Sequence, residues 1–142
     1  MVAAVLLGVV TLGAVVMTLQ QVSVALWPLP EGLDPFDPAH AEAWTEYLQS
    51  MPRAAWLLAM TSEVAGAFCG AVVAGSMARD ARKNVAGIVV GLGLAFSVAN
   101  WVSFRHPVWF VVGQIVLYPS AYLAAGKMLA GWGPVRRGRA GA

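Results

Sequence analysis

Arg53-Ala54-Ala55-Trp56-Leu57-Leu58-Ala59-Met60-Thr61-Ser62-Glu63-Val64-Ala65-Gly66-Ala67-Phe68-Cys69-Gly70-Ala71-Val72-Val73-Ala74-Gly75-Ser76-Met77 is the stretch whose reading decides the fold. At about 1.5 Å per residue it covers the roughly 30 Å hydrocarbon core of a bilayer as one helix. Glu63 is the only ionisable side chain in its interior. A charged group at that depth costs roughly 2.5 to 3.5 kcal/mol on insertion scales, so an acid kept there usually has a task.

Three further apolar stretches have comparable length, at about 2–27, 85–104 and 108–130, with the first span under discussion at 53–77. All four are expected as helices, because lipid leaves no partner for open backbone and the period-two alternation of a barrel is absent. The chain is 59% hydrophobic and 11% charged, with a mean hydropathy of +0.70, far below the roughly 25% charge of soluble domains. Its 142 residues leave room for a single membrane domain. The expected fold class is therefore all-α, a four-transmembrane-helix bundle. The first stretch has no Lys or Arg ahead of it and no clean small-x-small site after it, so it reads as a span and not as a cleaved leader.

Charge placement gives an orientation. Arg79, Arg82, Lys83, Lys127, Arg136, Arg137 and Arg139 fall on one side, and only Arg53 and Arg105 fall on the other. By the positive-inside rule both termini, including the basic tail 131–142, are expected on the cytoplasmic side of the membrane. Glu31, Asp34, Asp37, Glu42 and Glu46 then lie in an external loop. Trp27, Trp56, Trp101 and Trp109 mark the four external helix ends as an interfacial belt.

Within that loop, Asp37-Pro38 has the form of an N-cap followed by a first-turn proline, and a helix is expected over about 38–51. Ala41, Trp44, Tyr47, Leu48 and Met51 recur at three- and four-residue steps opposite Glu42, Glu46 and Gln49. That spacing predicts an amphipathic helix that lies on the membrane surface or packs on its own bundle. Gly8, Thr18, Gln21 and Pro28 align with Gly87, Ser97, Asn100 and Pro107 at a spacing of 79, which raises a duplicated helical hairpin.

Glu63 shares a helix face with Gly66, Ala67, Gly70 and Ala74, and small faces of this kind admit close helix approach. Gly87, Gly91, Ala95 and Ala99, and Ala121, Ala125 and Gly126, offer matching faces in the third and fourth spans. Counting inward from the external ends places Gln20, Gln21, Glu63, Asn100, Gln114 and Tyr118 in one polar layer of the outer membrane half. There Glu63 is expected to be neutral, donating to an amide carbonyl and accepting from an amide N–H. Such a layer reads either as a clasp that fixes helix register or as a proton-linked or ligand-binding site.

Other chemistries lack their parts. His40 and His106 sit outside the spans, and no Cys or His pair has ligand spacing, so neither metal nor haem is expected. No nucleophile elbow or acid–base set stands beside Ser62, and no catalytic residue or cofactor site is assigned. Nothing points to nucleic acid, and the terminal arginines suit anionic lipid. The expected partners are membrane lipid and either another membrane protein or a second copy of the chain.

Leu29-Pro30-Glu31-Gly32-Leu33-Asp34-Pro35-Phe36-Asp37-Pro38, Gly66-Ala67-Phe68-Cys69-Gly70, Ala99-Asn100-Trp101 and His106-Pro107-Val108-Trp109-Phe110 resemble a family of uncharacterised small four-span bacterial integral membrane proteins. The resemblance implies architecture and bacterial origin, and no activity. Gln21 stands where the resemblance leads one to expect an acid late in the first span. The leading expectation is an accessory or interaction subunit without catalysis of its own. The alternative is an oligomeric channel or proton-coupled small-solute transporter that uses Glu63.

Overall fold

Prolines set most helix ends. In the computed structural model, which describes residues 1–34, 37–78 and 80–132, α1 (Val2–Leu26) stops ahead of Pro28 and Pro30. Neither proline can donate an amide, and each restricts the residue before it. Gly32, at φ 77°, takes the left-handed turn that follows. Asp37 accepts the Ala39 amide at 2.9 Å and opens a short 3-10 turn, Pro38–His40, which leads into α2 (Ala41–Ser50). Pro52 and Pro107 stand at the N-caps of α3 (Arg53–Met77) and α5 (Val108–Gly131), with α4 (Arg82–Ser103) between them. No strand occurs among the described residues.

α1, α3, α4 and α5 are each long and apolar enough to cross a membrane, which is compatible with a multi-pass membrane protein. Their outward surfaces carry large bare apolar side chains such as Leu6, Val10, Phe96, Val102 and Leu123, which suits lipid and not water. α3 is the hub: it packs against α1, α4 and α5, while α1 also packs on α4 and has no backbone approach to α5 within 8 Å. The small face of α3 makes this possible. A Cβ placed on Gly70 would stand 2.5 Å from the Gly8 carbonyl oxygen, so the α1 and α3 backbones cross nearly in contact. On the other side of α3, Ala67 and Ala71 pack with Ala86, Val90, Tyr118, Ala125 and Leu129.

α4 turns a different face inward from the one expected. Val85, Ala86, Val89, Val90, Gly93 and Ser97 are buried, while Gly91, Ala95 and Ala99 are exposed. Both sets satisfy helical spacing, and the larger buried surface of the valines decides between them. Gly126 of α5 is likewise open, with Ala121 and Ala125 buried. The two hairpins also pack differently: Gly8 lies against Gly70 and Ala74, whereas its counterpart Gly87 would meet only the Tyr122 ring. α4 starts three residues before the expected 85 because Arg82 extends the helix, its guanidinium donating to the Leu129 and Trp132 carbonyls at 3.0 and 2.6 Å. Arg79, Pro35, Phe36 and the tail arginines Arg136, Arg137 and Arg139 lie outside the described residues.

α2 stands off from the spanning helices, with no backbone approach to them within 8 Å. It is held by side chains. Trp44 sets its ring edge-to-face with Phe104 at 6.4 Å, and the Tyr47 hydroxyl donates to the Trp27 carbonyl at 3.0 Å.

Candidate functional site

Glu63 lies about 15 Å along α3 from Arg53, at the rise of an α-helix. Its Oε2 collects the donors of two neighbouring helices. Ser97 Oγ of α4 donates to it, and Gln114 Nε2 of α5 donates at 2.7 Å. Tyr118 OH stands 3.5 Å away, at the limit of a hydrogen bond. Its proton has a better acceptor in Ser97 Oγ at 2.7 Å.

The direction of this network is fixed at one end. Trp101 Nε1 lies 2.6 Å from Gln114 Oε1, and an indole N–H can only donate. Gln114 must therefore turn its carbonyl to Trp101 and its amide to Glu63. With Ser97 spending its proton on the same carboxyl, the protons run from Trp101 through Gln114, and from Tyr118 through Ser97, onto Oε2. These bonds supply what a carboxyl removed from water otherwise lacks. The expected donation from a neutral Glu63 to an amide carbonyl is thus corrected: the only amide carbonyl in the network faces Trp101.

Oε1 has no partner among the described residues, and it is not sealed from the surface, since the only buried unpaired side-chain polar atom there is Arg82 Nε. Glu63 lines a cavity of about 290 Å³ at the end of the bundle where α1 ends and α3 and α5 begin. Gln20, Ser23 and Trp27 of the α1 end form one wall, and Trp44, Tyr47 and Leu48 of α2 form another. Trp56 and Ala59 of α3, with Phe104, His106 and Phe110, complete it. The aromatic rings brace one another. Trp56 packs edge-to-face on His106 and Phe110 at 5.3 and 5.2 Å, and His106 stacks on Phe110 at 5.3 Å. The His106 ring is held by a 2.8 Å contact between Nδ1 and the Phe104 carbonyl.

Of the residues expected in the polar layer, Glu63, Gln114 and Tyr118 are brought together. Gln20 and Asn100 line the cavity without a side-chain hydrogen bond among the described residues, and Gln21 is exposed on α1. Sequence reasoning missed Ser97 and Trp101 as partners of the acid. Only their helical spacing could have signalled it: Ser97 and Trp101 are four residues apart, on the face that α4 turns inward. The four tryptophans expected as a belt stand at this end of the bundle, but they do not all face outward. Trp56 is buried at 6% exposure inside the aromatic cluster, Trp101 serves Gln114, and Trp109 alone of the four is exposed. Packing against His106 and Phe110 removes more of Trp56 from its surroundings than an interfacial position would. Trp44 and Tyr47 turn to the bundle for the same reason.

Ser62 is buried and donates to the Ala59 carbonyl at 2.7 Å, and Thr61 donates to Leu57, so both hydroxyls are spent on their own helix. No cluster of His, Cys, Asp and Glu able to hold a metal exists among the described residues. No protein-family model, curated protein or solved structure matches the chain.

Proposed function

We propose that this protein is a non-catalytic, four-span component of a bacterial inner membrane that holds a small molecule in the Glu63 cavity. The observation that carries this reading is the placement of an unpartnered carboxyl oxygen at the edge of a preformed, aromatic-walled cavity of about 290 Å³. Cavities near this size, mostly apolar with a few placed polar groups, are the usual form of small-molecule sites. The packed cluster around Ala67, Tyr118 and Leu129 separates Glu63 from the opposite end of the bundle, which favours holding over conducting. Arg82, Lys83 and Lys127 at that opposite end support cytoplasmic termini, a reading in which the amphipathic α2 lies on the outer face.

The test of binding is native mass spectrometry of protein released from lipid nanodiscs. A bound small molecule is expected on the wild type and absent from Ala59→Phe, which fills the cavity. A wild type that carries nothing, or a filled variant that keeps the same adduct, removes the reading. Sidedness is tested in a Cys69→Ala background, where an impermeant maleimide should label Gln49→Cys from outside and leave Lys83→Cys unlabelled.

A second reading, the accessory subunit, draws on one observation. Gly91, Ala95 and Ala99 form an uncovered small-residue face on α4, of the kind that lets another membrane helix approach closely. Disulfide or bifunctional crosslinking from Gly91→Cys should then trap a second copy or another membrane protein. Monomer alone at native expression would refute it.

A further inference from the structure

We propose that the cavity ligand is a monovalent organic cation, an ammonium centre carried on an apolar body, with Glu63 Oε1 as its counter-charge. The inference rests on the binding reading above and adds the chemistry of the occupant. Among the described residues, Glu63 is the only Asp or Glu that lines the cavity, His106 is the only basic side chain there, and no Lys or Arg lines it. The hydrogen bonds of Ser97 and Gln114 all fall on Oε2, so they hold the carboxyl in place without using the oxygen that is left.

The walls suit a cation as well as the floor does. Ring faces attract positive charge through their quadrupoles, with Trp the strongest. The edge-to-face pairs, at 69° for Trp56 with Phe110 and 77° for Trp44 with Phe104, turn neighbouring faces through large angles. Six aromatic residues, Trp27, Trp44, Tyr47, Trp56, Phe104 and Phe110, line this one space with the acid, the kind of surrounding in which a quaternary or alkylated ammonium is held. A metal ion fits poorly: a single carboxylate oxygen among aromatic rings is far from the six or more oxygens that hard cations take. An anion would meet Glu63 with only the His106 imidazole, itself tied to the Phe104 carbonyl, to offset it. At about 30 Å³ for each water-sized unit, the space holds a ligand of on the order of ten non-hydrogen atoms.

Benzyltrimethylammonium and neopentylbenzene, its uncharged carbon isostere, have the same shape and separate charge from size. Both are titrated against the protein in lipid nanodiscs, with empty nanodiscs correcting for partition and tryptophan fluorescence as readout. The cation is expected to bind about tenfold or more tightly than the isostere, a ratio that Glu63→Gln collapses towards one. Trp44→Leu touches none of the Glu63 hydrogen bonds and keeps the proposal testable if Glu63→Gln does not fold. It should weaken the cation severalfold and leave the isostere little changed. Equal binding of both compounds, unaltered by either substitution, overturns the cation assignment while the cavity reading stands. Binding of neither compound, with Ala59→Phe indistinguishable from wild type, overturns both.

Discussion

Gly70→Ala probes the crossing on which the bundle is built. The added Cβ would stand 2.5 Å from the Gly8 carbonyl oxygen and 3.1 Å from both Leu12 Cβ and Val89 Cγ1. Ordinary contact begins near 3.4 Å, so α1 must retreat from α3 by about 0.9 Å, and backbone cannot rotate out of the way as a side chain can. A gap of 0.5 to 1 Å forfeits roughly a quarter to a half of the dispersion attraction across a contact. α1 can recover only part of it against α4, its one other spanning neighbour by backbone approach. Alanine returns up to about 1 kcal/mol through helix propensity. The net expectation is a destabilisation of about 1 to 3 kcal/mol, the usual size of an overpacking penalty. Gly91→Ala is the control, because a Cβ there meets nothing within 4 Å. It should be neutral or stabilising by up to about 1 kcal/mol. Unfolding by sodium dodecyl sulfate in mixed micelles, followed by circular dichroism, gives both values. Equal stability of the two variants would refute the close crossing.

Trp101→Phe leaves the fully buried Gln114 without its donor, and a loss of about 0.6 to 1.7 kcal/mol is expected by the same unfolding assay. A double-mutant cycle with Gln114→Leu should return a coupling of that size, and strict additivity would break the network apart. Tyr47→Phe removes the bond to the Trp27 carbonyl, so hydrogen exchange should quicken in α2 while α3 to α5 keep their protection. Burial pushes the Tyr47 phenol above its ordinary 10.0. The folded state thus keeps that proton longer than the unfolded one, its contribution is whole below pH 10, and it is lost as pH climbs through the folded value. The difference in tyrosinate absorbance between wild type and Tyr47→Phe should accordingly titrate above 10.0; a difference titrating at or below it contradicts the docked geometry. Arg82→Gln should loosen the last turn of α5, seen as faster exchange at Leu129 to Trp132.

What the sequence made legible divides along a physical line. Helix length and hydropathy are summed over twenty residues, so the four long helices stand out from composition alone. Height is also readable, since counting residues from a helix end measures distance along the bundle. Azimuth is not. Asn100 has the right height and lines the cavity without a hydrogen bond to Glu63 among the described residues, whereas Ser97, three residues earlier, meets the acid because the valine face of α4 turns inward. Trp101 looked like an interface anchor because its type is common there, and its indole N–H finds Gln114 only through the packing of α4 on α5. The cavity was still less visible. It exists because α2 folds back over the bundle, and that depends on single contacts such as Tyr47 with Trp27.

The order in which the Glu63 partners occur along the chain has a consequence for biogenesis. Ser97 follows the acid by 34 residues, Gln114 by 51 and Tyr118 by 55, so none of them exists when α3 is first made. At about 5 to 20 residues per second, the ribosome needs roughly three to eleven seconds to reach the last of them. During that interval an unsatisfied acid worth roughly 2.5 to 3.5 kcal/mol resists the transfer of α3 into lipid. A chain cut short before α5 would offer the acid only Ser97 of the three, and it is α5 that brings the other two.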